Sequence, residues 1–510
     1  MKFTPVLIVF AVFAIATALW QLHLAQTGVA ISAVTIDSTP AMIYRPLSKA
    51  LGPVVVIAHG FAGSQQLMQS FALCFARNGY IAVTFDFPGH GRNPKPLSGS
   101  ITDETGATRL LVQETARVAA FARPLGDGRL AVLGHSMASD IVVRFAQTTP
   151  DIAATIAVSM FSPAVTATRP ADLLVIVGDW ESRLKQEALR AIALAIEPMA
   201  AAPGITYGDV AGGTGRRVSF IPTSEHVSVL FSRDSLGEAL AWLDQAFGTL
   251  RTRPPVLDAR GRWILFLLAG SVLLAYPLTR LLPRLAVPTV LQTTQQKPGW
   301  RRLWLPLLLP MLVTPLVLRL LPTHFLPVLV GDYLAAHFAL YGLLTALCLL
   351  WVGRDDARAL PSLVSLPAFA GAALAVIAFG FVGLVWPIDS YLTSFVPGPE
   401  RRILVLLMLV GTLAFFCADE WLTRAVSAPR GAYVMTKVAF LLSLALAVAL
   451  DFEQLFFLVI ILPVILLFFL VYGLLSGWVY RRTGHPWVAG LANAVAFAWA
   501  IGVTFPLLAG

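Results

Sequence analysis

At 510 residues, with 57% apolar and only 13% charged positions and a mean hydropathy of +0.76, the chain lies far outside the composition of soluble globular proteins, and much of it must sit in lipid. The formal charge of +9 comes from basic residues that punctuate long apolar runs; no basic tract with interleaved aromatics occurs, so nucleic acid is set aside as a partner. Cys74, Cys348 and Cys417 are too widely spaced for a disulfide framework or a cysteine zinc site.

Lys2 precedes an apolar run from about Pro5 to Trp20, which reads as a signal-anchor helix within residues 1–27; the alternative is a signal peptide with a small-x-small site at Ala16-Thr17-Ala18. Either sends the following segment across the membrane. From residue 28 to 250 the composition becomes that of a soluble domain. Apolar β-rich runs, "AISAVTID", "VVVIAHG", "YIAVTFD", "LAVLGHS", "IAATIAVS", "LLVIVGD" and "RVSFIPT", alternate there with helical patterns near Gln65–Asn78, Asp103–Ala122, Met137–Gln147, Ser182–Ile196 and Ser235–Phe247. This alternation predicts an α/β fold with a mainly parallel sheet covered by helices on both faces.

A linker at 251–261 leads into a second, all-α polytopic transmembrane domain at 262–510, with spans near 262–281, 302–321, 326–352, 362–386, 402–423, 431–450, 454–478 and 487–508. Each has roughly the 20 residues that a helix needs to cross a bilayer. Placing the N-terminus in the cytoplasm puts Arg280, Arg284, Lys297, Arg301, Arg302, Arg354, Arg358, Arg424, Arg430, Arg481 and Arg482 on the inside. Asp389, Glu400, Asp451 and Glu453 then fall in the opposite loops, where only Arg401 and Arg402 are awkward. This topology predicts an exoplasmic domain at 28–250, periplasmic in a bacterial cell.

The chemistry starts at "LAVLGHSMASDIVVRFA", where an apolar strand enters a helix through Gly134-His135-Ser136-Met137-Ala138. Small residues two places either side of a serine fit the sharp strand-to-helix turn of a nucleophile elbow. A serine hydroxyl needs a base to take its proton and a carboxylate to hold that base in one tautomer. Asp179 and Glu181 directly follow a later strand, and His226 is the only histidine between the elbow and the apolar half of the chain. An oxyanion needs preorganised N–H donors, and Met137, after the serine, and Phe61, in the turn "VVVIAHGFAGS", are placed to supply them.

Residues 28 to 248 resemble the α/β-hydrolase family in "HGFAGS", "FDFPGHGRN", "GHSMA", "VGDWES" and "EHVSVLFS". The resemblance implies a catalytic triad of Ser136, an acid and His226, with Phe61 and Met137 as the oxyanion-hole residues. In many relatives the acid stands three residues after the glycine that ends its strand, which selects Glu181 and leaves Asp179 as the alternative acid. Ala138 stands where glycine is commoner, and it is still small enough for the turn.

His59 and His90 read as structural, and His135 as a wall of the site rather than its base. "AGGTGRR" lacks the lysine and the following helix of a phosphate loop and reads as a connection. Roughly forty residues separate Ser136 from the acid, too few for a large cap domain, so the site should be open. Met160, Phe161 and Trp180 are candidate substrate-binding residues, with Phe61, Met137 and Val227 beside them; they suit an apolar acyl or alkyl group. In the apolar half, Asp332 and His337 share one span and so are functional candidates. "ADEWLTR" faintly resembles the Glu-Glu-x-x-x-Arg motif of CAAX-type intramembrane proteases but lacks the histidines, so Glu420 and Arg424 read as an interfacial ion pair. The expectation is a membrane-anchored serine hydrolase acting on a small-molecule or lipid ester, in contact with membrane lipids, with no metal or organic cofactor. The competing reading is a transporter or scaffold whose hydrolase-like domain only binds a ligand.

Overall fold

The computed structural model describes residues 3–47, 51–99, 104–149, 151–197, 199–258, 260–286, 303–352, 365–424 and 428–509. Lys2, Asp103, Lys297, Arg301, Arg302, Arg354 and Arg358, invoked above, lie outside them. The chain divides into a sheet unit, Ala16–Leu267 with Pro387–Phe395 and Pro506–Gly510, and a helical unit made of the remaining segments.

In the sheet unit nine strands run β1 (Val29–Ile36), β2 (Thr39–Pro46), β3 (Val54–Ala58), β4 (Ile81–Phe85), β5 (Leu130–His135), β6 (Ile152–Val158), β7 (Leu173–Gly178), β8 (Thr206–Tyr207) and β9 (Arg216–Ile221). They form one sheet in the order β1-β2-β4-β3-β5-β6-β7-β9-β8. β3, β4, β5, β6, β7 and β9 are parallel, whereas β1, β2 and β8 pair antiparallel. β2 and β8 are absent from the pattern reading above. β2, "TPAMIYRP", carries prolines that weaken a strand signal; its ladder to β4 uses Ala41 to Tyr44, between them.

The β3 run "VVVIA" is buried on both sides because alternate residues feed opposite faces. Val55 and Ile57 pack on helices α2 (Gln69–Arg77) and, at the end of the unit, α6 (Arg233–Phe247). Val54, Val56 and Ala58 pack on α3 (Arg109–Ala122) and α4 (Met137–Thr148), and the β7 side is closed by α5 (Ser182–Ala193). β3 pairs with β4 on one side and β5 on the other, so the chain reverses its winding there. Loops leaving β3 and β5 diverge at such a switch point and open a crevice at the carboxyl ends of the strands.

The helical unit is built from α1 (Phe3–Leu24, shared with the sheet unit), α7 (Arg260–Leu278, likewise shared), α8 (Trp304–Leu318), α9 (Gly331–Val352), α10 (Leu366–Gly380), α12 (Pro399–Arg424), α13 (Ala432–Leu450), α14 (Phe452–Thr483) and α15 (Pro486–Thr504), while α11 (Trp386–Tyr391) belongs to the sheet unit from Pro387 onward. Among the described residues eight helical runs, including the one from α10 through α11, are long and apolar enough to cross a membrane. The expected span at 302–321 differs: α8 has 15 residues, about 22 Å at 1.5 Å each, short of a bilayer core of about 30 Å. Pro306, Pro310 and Pro315 remove backbone donors within it.

Inside this unit Lys437 is paired with Asp419, and Glu420 bonds Arg424 (3.3 Å), Asn493 (3.3 Å) and Ser476. Of the pair read as interfacial, Glu420 is fully buried and Arg424 partly exposed, in a network in which each charge has a partner. Asp332 caps the start of α9 by accepting from the Phe325 and Tyr333 N–H groups, and His337 packs between the rings of Tyr333, Tyr341 and Phe440.

Candidate active site

β5 ends at His135 and α4 begins at Met137, leaving Ser136 alone to make the turn. Its φ of 54° and ψ of −118° are strained for a residue with a side chain, at a cost on the order of 1–3 kcal/mol. Surrounding contacts hold it there: Ser136 N–H donates to Val158 O at 2.9 Å, and the Ser139 N–H and hydroxyl both donate to Ser136 O. A Cβ on Gly134 would lie 2.2 Å from Ala138 O, so the chain can fold back only with glycine at that position.

Ser136 Oγ lies 2.9 Å from His226 Nε2, and His226 Nδ1 lies 2.5 Å from Glu181 Oε1. A carboxylate accepts, so Nδ1 carries the proton and the Nε2 lone pair faces the hydroxyl. Glu181 Oε2 accepts from Gly178 N–H and the Ser159 hydroxyl, both at 2.8 Å. Burial pushes the Glu181 pKa up, but the hydrogen bonds from His226, Ser159 and Gly178 outweigh it and leave the pKa below the ordinary carboxylate value. Asp179 points away, half exposed, and pairs with Lys185 at 2.8 Å.

His135 Nε2 donates to the His226 carbonyl at 2.9 Å, tying the elbow to the histidine loop. Burial, with the neighbouring His226 adding to it, lowers the His135 pKa to about 3, which keeps this ring neutral. His59 accepts from Phe87 N–H at Nε2 and therefore donates from Nδ1 to Gly60 O, joining the turn after β3 to the turn after β4. Burial lowers its pKa as well.

Gly60 comes so close to the elbow that a Cβ there would sit 3.0 Å from both Ser136 Cβ and His135 Nδ1. Phe61 follows it on the same turn. Met137 opens α4, so its N–H is one of the four that a helix leaves unbonded at its start. Phe161 (64% exposed), Trp180 (67%) and Val227 (43%) stand at the surface, whereas Met160, expected beside them, is fully buried in the core with Val175 and Val177. Met160 lies two residues past the end of β6 and packs against the sheet instead of opening to solvent. No helix occurs between β6 and β7, and the His226 side chain is 39% exposed, so the site is open. Ser159 is the contact missed in the sequence; its only signal is its place at a strand end, like Ser136.

Residues 50–198 match the family model described as serine aminopeptidase, S33, a stretch that contains Ser136 and Glu181 and stops short of His226. That stretch carries β3 to β7 of a mostly parallel sheet flanked by helices, the fold of an α/β hydrolase. Among solved structures, the chain is similar to a predicted CIB-like hydrolase from Thermoplasma acidophilum (14% identity, 42% of this chain, 97% of that one, TM-score 0.33). It is also similar to a soluble variant of monoglyceride lipase from Saccharomyces cerevisiae (14%, 43% and 96%, 0.32) and to a membrane phospholipase A described as a bacterial virulence factor (18%, 47% and 92%, 0.30). A search of curated proteins finds no match.

Proposed function

We propose that this chain is a membrane-anchored serine hydrolase that cleaves carboxylic esters through an acyl-enzyme. The observation that carries the reading is the continuous line of hydrogen bonds from Ser136 through His226 to Glu181. His226 Nε2 takes the Ser136 proton as Oγ bonds to the ester carbonyl carbon. The N–H groups of Met137 and Phe61 hold the oxyanion, and the imidazolium formed is stabilised by Glu181. The carbon–alkoxy bond then breaks, and the leaving alcohol takes the proton from Nε2. Water, deprotonated by the same nitrogen, attacks the acyl-enzyme and releases the acid with Ser136 restored.

Phe161 and Trp180 form the apolar rim that an acyl or alkyl group would meet. The eight apolar helices would anchor the chain, with the N-terminus cytoplasmic and residues 28–250 on the exoplasmic side. Hydrolysis of p-nitrophenyl esters of graded acyl length by the detergent-solubilised protein tests the proposal. Turnover that depends on chain length and is abolished by Ser136→Ala supports it, and absence of turnover across the series from a folded protein refutes it.

A further inference from the structure

The turn that carries Phe61 is held in place by residues more than 300 positions later in the chain. After β3 it runs His59-Gly60-Phe61-Ala62-Gly63-Ser64, with Ala62 at a φ of 54° and Gly63 N–H donating to Gly60 O. It ends at Ser64, which is fully buried. Ser64 Oγ accepts from Ser394 N–H at 2.7 Å and lies 3.0 Å from Thr393 Oγ1, and Gln66 Nε2 donates to Ser394 Oγ at 3.1 Å.

The same remote segment grips the neighbouring turn. Asp389 Oδ2 pairs with Arg92 at 2.6 Å, while Oδ1 accepts from Phe395 N–H at 2.8 Å and closes segment 389–395 on itself. Asp86 completes the circuit from within, accepting from Gln65 N–H, Gln65 Nε2 and Arg92 N–H. The residues before the chain's end contribute a short ladder to this second turn: Leu507 N–H donates to Gly89 O, Leu97 N–H to Leu507 O and Ala509 N–H to Leu97 O.

We infer that Asp389, Thr393 and Ser394 are positioning residues of the hydrolase, setting the turn that presents the Phe61 N–H to the oxyanion. The inference rests on the serine-hydrolase reading and adds that the catalytic unit is not confined to residues 28–250. A donor to a developing oxyanion acts only when held to within about 0.5 Å of its productive position. The Phe61 turn is only three residues from its anchor at Ser64, so loosening that anchor displaces the donor. Stabilisation lost in this way belongs to the transition state and falls on kcat, leaving KM little changed.

The test compares the full-length wild type with the triple variant Asp389→Ala/Thr393→Val/Ser394→Ala and with Thr393→Val and Thr393→Ser singly. Each is measured for kcat and KM on one ester, after active-site titration, and for hydrogen exchange of peptides spanning residues 59–66. The triple variant should lose at least tenfold in kcat with KM within about twofold, and its 59–66 amides should exchange faster. Thr393→Ser, which keeps the hydroxyl, should restore what Thr393→Val loses. Unchanged kcat and unchanged exchange in the triple variant overturn the inference, as does a loss confined to the titratable fraction. A wild type without turnover refutes the hydrolase reading instead, and exchange at 59–66 then decides whether the anchor holds the turn.

Discussion

Replacing Glu181 by glutamine separates the carboxylate's role from its shape. In the structure Oε1 takes one donor, His226 Nδ1–H, and Oε2 takes two, Gly178 N–H and the Ser159 hydroxyl. An amide has a single acceptor oxygen. If that oxygen stays with Gly178 and Ser159, the NH₂ faces Nδ1 and drives the histidine proton to Nε2, where it meets the Ser136 hydroxyl and cannot accept its proton. If the amide flips, two donors meet a donor. A wrong tautomer in such a triad costs about 10³- to 10⁴-fold in kcat, or roughly 4–5.5 kcal/mol at about 1.36 kcal/mol per decade. Asp179→Asn is the control: it disturbs a surface pair with Lys185 and should stay within about twofold of wild type. The assay is steady-state ester hydrolysis normalised to titrated sites. Retention of more than about a tenth of kcat by Glu181→Gln, or its loss in Asp179→Asn, would refute the reasoning.

Gly60→Ala should lower kcat by about 10² or more while the protein still folds, because the added methyl lies 3.0 Å from Ser136 Cβ; steady-state kinetics beside a thermal melt checks this. His135→Gln should reduce kcat by about tenfold through the loss of its bond to the His226 carbonyl, yet leave the acid limb of the pH–rate profile in place, since a ring with a pKa of about 3 is not the titrating group. Burial raises the Asp172 pKa from 3.8 to about 6, so its contribution to stability is full below about pH 4 and is lost as pH rises through about 6. Asp172→Asn should flatten the melting temperature between pH 4 and 7, measured by fluorescence on the solubilised protein.

The parallel part of the fold was legible because β3, β5, β6 and β7 are short apolar runs ended by glycine, histidine or serine, a local signal. The elbow was legible for the same reason: Gly134 and Ala138 are steric requirements written within five residues. β2 was not, since its prolines mask a strand stabilised by neighbours on both sides. Met160 looked like a site residue because it follows a strand end, but which neighbour of a strand end turns inward depends on packing against the sheet. The 389–395 contacts carried no local signal at all. They join residues about 300 positions apart: Asp389 reads only as a loop charge, and nothing near Thr393 and Ser394 in sequence points to the Ser64 and Arg92 that the fold brings to this segment.

The most direct measurement is the site of covalent capture. Membranes carrying the full chain are treated with a fluorophosphonate and digested, and the phosphonylated residue is mapped by mass spectrometry. The expected result is a single adduct on Ser136, formed at least 10²-fold more slowly in His226→Ala and absent from Ser136→Ala. Modification at another residue, or no adduct on a folded wild-type protein, would contradict the assignment of this site.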